Sequence, residues 1–88
     1  MKKNIKYEVA MTEETTEVWQ KKAKGILKSE LKRRHLGYKE LAEKLDALGV
    51  KDSERNLANK VSRGSFTAAF FLQCLEAIGC HTVRLDEG

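Results

Sequence analysis

Residues 38–64 read YKELAEKLDALGVKDSERNLANKVSRG, and this stretch decides the fold. Its first half carries apolar residues at steps of three and four, which indicates one buried face of a helix. These residues are Tyr38, Leu41, Ala42, Leu45 and Leu48. Gly49 suits the left-handed conformation that ends a helix. In the second half, Asp52 or Ser53 can cap a further helix, which Gly64 ends. The stretch therefore predicts two helices joined by a turn.

One amphipathic helix is predicted before this pair and one apolar helix after it. The first has its apolar residues at helical spacing and ends near Arg34. They are Trp19, Ala23, Ile26, Leu27 and Leu31, and we expect Trp19 to cover the core. The last begins at Ser65 or Thr67, stops at Gly79 and is the most apolar part of the chain. Its apolar residues, with the nearby Phe66, are expected to pack in the core. They are Phe70, Phe71, Cys74, Leu75 and Ile78.

Both ends of the chain show the period-two alternation of a half-buried strand. Residues 5–9 and 82–85 each carry it, and two such segments can pair as a short ribbon. The expected fold class is mainly α, a compact four- to five-helix bundle with or without a two-stranded β ribbon from the termini. We expect one domain over residues 1–88, with an N-terminal strand or arm at 1–11, a helical core at 12–79 and a C-terminal strand or tail at 80–88.

The size and composition of the chain exclude several classes of protein. The 88 residues are 41% hydrophobic and 34% charged, with no proline, which indicates one small folded domain with a modest core. No apolar run approaches the roughly 18 residues of a membrane span. The first residues are charged where a signal peptide needs an apolar stretch, so a cytoplasmic location without membrane contact is expected.

Positive charge is concentrated in one segment. Residues 20–39 hold eight basic side chains and the single acid Glu30, a net charge of +7, whereas the whole chain carries +4. A basic segment of this kind attracts a polyanion, since each neutralised phosphate releases counterions. Nucleic acid is therefore the leading partner. The alternative is a solvated helix face, because lysine-rich surface helices are common.

Cysteine, histidine and serine give no sign of a catalytic or metal site. Cys74 and Cys80 are expected to be unpaired thiols in a reducing compartment, and with His81 they lack the paired spacing of metal ligands. No serine has a base and an orienting group beside it in the pattern, and no glycine-rich phosphate loop is present. We expect no enzymatic activity, no cofactor and no small-molecule substrate.

Two segments carry a resemblance to a known family. Residues 31–45, LKRRHLGYKELAEKL, resemble the opening of a lambda-repressor/Cro-like helix-turn-helix domain, in which a leucine-alanine pair, here Leu41 and Ala42, lies on the first helix of the motif. Residues 57–64, LANKVSRG, are similar to the recognition helix and its stop. The resemblance covers residues 20–85 and implies a helix-turn-helix whose turn is lengthened at residues 46–51.

The chain also resembles a small bacterial domain family of uncharacterised function. The residues that carry this second resemblance lie at 55–57, 63–64 and 66–75.

The repressor resemblance implies a DNA-binding protein, a transcriptional regulator that inserts helix 53–63 into the major groove. Arg55 would read guanine, and Asn56 or Asn59 would read adenine. The implied phosphate contacts are Tyr38, Lys39, Lys60, Arg63, Arg33 and Arg34. The alternatives are an ion pair for Arg55 and capping of its own helix for Asn56.

The expected partners are double-stranded DNA and a second copy of the chain. A homodimer is expected because one short recognition helix rarely supplies enough affinity alone, and residues 5–9 and 82–85 could form its contact. Two other functions stay open. One is a protein-protein interaction module with Phe66, Phe70 or Tyr7 as anchors. The other is RNA binding through the basic segment.

Overall fold

The computed structural model describes residues 13–86, which form four helices and no strand. The first, α1, spans Glu13–Arg33, and α2 spans Tyr38–Ala47. The last two are α3 at Glu54–Arg63 and α4 at Ala68–Ala77. The predicted mainly helical bundle is therefore confirmed for this part of the chain.

The helix ends follow the predicted caps. The Ser53 hydroxyl accepts a hydrogen bond from the Asn56 backbone N–H at 3.1 Å, so Ser53 rather than Asp52 begins α3. The Thr67 hydroxyl likewise accepts from the Phe70 N–H at 3.0 Å and begins α4. Each hydroxyl satisfies a backbone donor that the first turn of a helix leaves unpaired. Gly64 ends α3 in the left-handed conformation, with φ of +73°.

The core lies where the apolar faces of all four helices meet. Each helix contributes leucine, valine, phenylalanine or cysteine side chains at its inward positions. The buried set is Leu27, Leu31, Leu41, Leu45, Leu57, Val61, Phe70, Cys74, Leu75, Ile78 and Cys80. Phe66 and Phe71 pack against this set, with ring centroids 5.8 Å apart. The predicted packing role of the three phenylalanines is confirmed.

The end of α3 lies directly against α1. A Cβ atom added to Gly64 would stand 2.8 Å from the Gln20 carbonyl oxygen, closer than side-chain carbon atoms approach a backbone. The ammonium of Lys24 also donates a hydrogen bond to the Ser62 carbonyl at 3.0 Å. These contacts bring the C-terminal end of α3 beside the basic segment of α1.

The structure does not confirm the expected β ribbon or the expected position of Trp19. Residues 82–85 form no strand within the described part of the chain, while the expected strand at 5–9 lies outside it, so the β ribbon is not confirmed. Trp19 does not cover the core: its side chain is 58% exposed, with the Lys22 ammonium 5.9 Å from the ring centroid.

The connection between α2 and α3 contains the six residues 48–53. Gly49 adopts φ of +86° there, as the sequence predicts for the residue that ends α2. Within residues 13–86, no helix has the length and apolarity that a membrane crossing requires.

Candidate functional site

Two of the predicted base-contacting residues lie on the outward side of α3. Leu57 and Val61 point into the core, and both are fully buried. Arg55 and Asn59 are exposed and four residues apart, so they share one face of the helix. Neither side chain makes a hydrogen bond or an ion pair with any residue in the described range 13–86. Their polar groups are therefore available to a ligand.

The third predicted base-contacting residue, Asn56, is held by its own chain. Its backbone N–H binds the Ser53 hydroxyl, and its side-chain amide donates a hydrogen bond to the Asp52 carboxylate. The amide thus supports the start of α3, much as the alternative of capping its own helix anticipates.

Lys60 is also engaged inside the molecule. Its ammonium lies 2.6 Å from Oδ2 of Asp52, whose side chain is only 9% exposed, and 5.0 Å from the centroid of the Phe70 ring. The hydrogen bond from Lys60 is the main reason why the pKa of Asp52 lies below its ordinary value. A cation over an aromatic face gains further electrostatic attraction. This arrangement joins α3 to the segment before it and to α4.

Arg33 and Arg34 share one buried carboxylate. Glu30 is 7% exposed, and its side chain accepts hydrogen bonds from Arg34 and, at 3.3 Å, from Arg33. The bond from Arg34 is the main cause of a lowered Glu30 pKa, and the nearby Cys80 thiol, which donates to the Thr82 carbonyl at 3.4 Å, makes a smaller contribution to it. Two arginines on one acid leave this three-residue cluster with a single net positive charge. The cluster ties α1 to the residues that follow α4.

The start of α2 already contains a negative charge. The Glu40 side chain accepts a hydrogen bond from the Gly37 N–H at 2.8 Å, as in a capping box. This carboxylate occupies the positive end of the helix, where the sequence predicts a phosphate contact. Tyr38 is half-buried against the core, and burial raises the pKa of its phenol. Lys39 is exposed.

A row of four lysines on α1, three of them exposed and Lys24 half-buried, lies outside the predicted site residues. Its four members follow one another at steps of three, four and four, so they lie along one side of the helix. We call the following set the basic row: Lys21, Lys24, Lys28 and Lys32. The spacing itself was the sequence signal that could have singled them out.

The basic row adjoins α3 at one end and α2 at the other. Lys21 and Lys24 line a shallow groove together with Arg63, the predicted phosphate contact at the end of α3. Lys28 and Lys32 border a small apolar pocket that also contains Tyr38. Glu17 lines the first groove and is the one acid beside the row among the described residues of these two pockets. The basic row therefore extends from the end of α3 toward the start of α2.

The opposite side of α3 is acidic. A groove between the end of α2 and the start of α3 is lined by Glu43, Asp46 and Asp52, with Lys51 bound to Asp46 at 2.7 Å. Asp46 is paired with Lys51 and Asp52 with Lys60, so among residues 13–86 only Glu43 of these three acids lacks a basic partner. A polyanion is therefore attracted mainly toward the α1 side of α3.

Two further predictions concern apolar and thiol side chains. Phe70 is 7% exposed, so it is not available as an anchor for a protein partner, while Tyr7 lies outside the described residues. Cys74 and Cys80 are free and buried, and burial raises the pKa of the Cys74 thiol to about 12. Among residues 13–86, no group of three His, Cys, Asp or Glu side chains is placed to hold a metal ion.

Comparison with known proteins gives a family without an assigned activity. The sequence profile of the family described as "Domain of unknown function (DUF6471)" matches residues 19–83, which include most of α1 and the whole of α2, α3 and α4. No curated protein and no solved structure matches the chain. Because the matched region covers most of the 88 residues, the chain belongs to the DUF6471 family.

Proposed function

We propose that this domain is a cytoplasmic DNA-binding module of a transcriptional regulator, in which α3 enters the major groove of a double helix. One observation carries the proposal: Arg55 and Asn59 stand exposed and unpaired, among residues 13–86, on a face of α3 that leads to the basic side of α1. Guanidinium and amide groups are the side chains that read guanine and adenine edges.

The geometry of α3 supports this assignment. Ser62 is three residues beyond Asn59, so Arg55, Asn59 and Ser62 form one line along the helix. At the end of this line the Ser62 carbonyl binds the Lys24 ammonium at 3.0 Å. A duplex that meets Arg55 and Asn59 therefore meets positive charge next to them, which suits a groove flanked by phosphates.

The proposed contacts differ from the full predicted set. Arg55 and Asn59 are assigned to bases, whereas Arg63 and Lys39, both exposed, are assigned to phosphate. The side chains of Asn56, Lys60 and Arg34 bind Asp52 or Glu30 instead. These three stabilise the framework that presents α3. We further propose that two copies of the chain bind together, because a ten-residue helix offers a small contact surface.

The test is fluorescence anisotropy of a labelled random duplex at several salt concentrations, with single-stranded RNA of equal length as the comparison. Duplex binding whose logarithm falls linearly with the logarithm of salt concentration supports the proposal. Absence of duplex binding even at low salt overturns it and leaves the protein-interaction alternative. Tighter binding of RNA than of duplex favours the RNA alternative.

Sequence readout is tested by selecting sites from a random pool with Arg55→Ala and with the matched variant Arg84→Ala. Arg84 is exposed and lies beyond α4, so both variants lose the same charge. Arg55→Ala should relax preference at one base position by about 1–3 kcal/mol. Identical site preferences in the two variants contradict direct readout by Arg55. The proposal that two copies bind together is tested by measuring the mass of the protein in solution and the mass of its complex with the selected DNA site.

A further inference from the structure

We infer that α1 is the element that follows the DNA backbone, with the basic row of Lys21, Lys24, Lys28 and Lys32 in contact with successive phosphates of one strand. This inference rests on the proposed function and assigns its main phosphate contacts to residues outside those that the family resemblance implies. The juxtaposition of this row with Arg63 and the outward face of α3 carries the inference.

The first step concerns which basic side chains already have a partner within the protein. Lys21, Lys28 and Lys32 are exposed, and none of them has an ion-pair or hydrogen-bond partner among residues 13–86. By contrast, Arg34 and Lys60 are bound to buried carboxylates. For Arg34 or Lys60 to bind a phosphate, an internal contact would have to break. Lys21, Lys28 and Lys32 bind a phosphate at no such cost, so they contribute more to the affinity.

The second step is length. The row extends over eleven residue steps of α1, from Lys21 to Lys32, which corresponds to about 16 Å at a rise of 1.5 Å per residue. One DNA strand advances about 3.4 Å per phosphate along the duplex axis, so the row extends beside about five nucleotides. Four ammonium groups over this length supply nearly one positive charge for each of these phosphates.

The third step is direction. The row meets α3 where Lys24 binds the Ser62 carbonyl, and Arg63 lines the same groove as Lys21 and Lys24. A strand along the row therefore passes the C-terminal end of α3. The acidic groove of Glu43, Asp46 and Asp52 lies beside the N-terminal end of α3, away from these contacts. The duplex is thus expected to lie over α1 and the outward face of α3 together.

The experiment measures the salt dependence of duplex binding for the triple variant Lys21→Gln/Lys28→Gln/Lys32→Gln. Lys24 is left intact because it supports the contact between α1 and α3. The matched control is Lys44→Gln/Lys51→Gln/Arg84→Gln, which removes three exposed positive charges elsewhere on the chain. Circular dichroism and urea denaturation establish that both variants are folded.

For the row variant, the slope of log K against log salt concentration should become shallower by about three. Affinity at moderate salt should fall about 10- to 100-fold, and the control should keep the wild-type slope. Equal slopes for the row variant and the control overturn the inference while leaving DNA binding itself intact. Failure of the wild-type protein to bind any duplex instead overturns the proposed function, so the two failures are distinguishable.

Discussion

Lys60 on α3 donates a hydrogen bond to Asp52 across 2.6 Å, and this contact links α3 to the segment that precedes it. Asp52 also accepts from the Ser53 N–H at 3.1 Å and from the Asn56 side chain. Three donors therefore surround one carboxylate at the start of α3. The arrangement fixes where the helix begins and so where its outward face lies.

Replacing Lys60 should destabilise the fold without weakening DNA contacts. Lys60→Met leaves the 9%-exposed Asp52 carboxylate without its charged donor and removes the cation from the Phe70 ring. Because the Lys60 side chain is 41% exposed, we expect a loss of about 1–2 kcal/mol in the free energy of unfolding. Urea denaturation measures it, with Lys44→Met, at an exposed position of α2, as the control. A loss no larger than that of the control contradicts the assigned role.

Acid should destabilise the domain through two paired carboxylates. Arg34 lowers the pKa of Glu30 and Lys60 lowers the pKa of Asp52, relative to ordinary values of 4.5 and 3.8. Groups whose pKa is depressed by folding stabilise the native state above the unfolded pKa, and this stability is lost as the pH falls through the native pKa. The free energy of unfolding should therefore decline from about pH 4.5 downward.

The same measurement on Asp52→Asn separates the two carboxylates. This variant should be less stable at neutral pH and should show a shallower decline in acid, since the Asp52 contribution is absent. The ordinary pKa of Asp52 is 3.8. If the free energy of unfolding of Asp52→Asn declines below this pH as steeply as that of the wild type, Asp52 has the same pKa in the folded and unfolded chains.

The helices were predictable because their signals are local. Ser53 and Thr67 each cap a helix, because the hydroxyl accepts a hydrogen bond from the backbone N–H three residues further along the chain. Gly64 adopts the left-handed conformation that its position at the end of α3 predicts. Apolar residues at steps of three and four likewise predicted the inward faces, as Leu41 and Leu45 show. Caps and periodicity depend on neighbours along the chain alone.

The contacts of the candidate site were less predictable because they depend on packing. Lys60 meets Asp52 eight residues away and Phe70 on another helix, and no sequence spacing signals that combination. Glu30 and Arg34 are different: they are four residues apart on a helix, a spacing that favours an ion pair, and the sequence analysis assigned Arg34 to phosphate instead. Trp19 continues the apolar spacing of α1, yet its side chain is 58% exposed.

The thiol of Cys74 should be unreactive while the protein is folded. Burial raises its pKa to about 12, so almost no thiolate exists at neutral pH, and the side chain is fully buried. In a Cys80→Ser variant, reaction with a thiol reagent should be about 1,000-fold slower in buffer than in urea. Similar rates in the two conditions would show that Cys74 is accessible without unfolding.

Alanine at Gly64 should be far more destabilising than alanine at Gly49. Both glycines have positive φ, of +73° and +86°, so each substitution incurs the left-handed penalty of about 1 kcal/mol. At Gly49 nothing lies within 4 Å of the added Cβ, whereas at Gly64 the Gln20 carbonyl oxygen lies 2.8 Å away and α1 must shift from α3. We therefore expect a loss of about 3 kcal/mol for Gly64→Ala and about 1 kcal/mol for Gly49→Ala in urea denaturation. Since Gly64 sets the distance between α3 and the basic row, its alanine variant should also bind duplex DNA more weakly, while Gly49→Ala keeps wild-type affinity. Equal losses of stability in the two variants would contradict the close approach of α3 to α1.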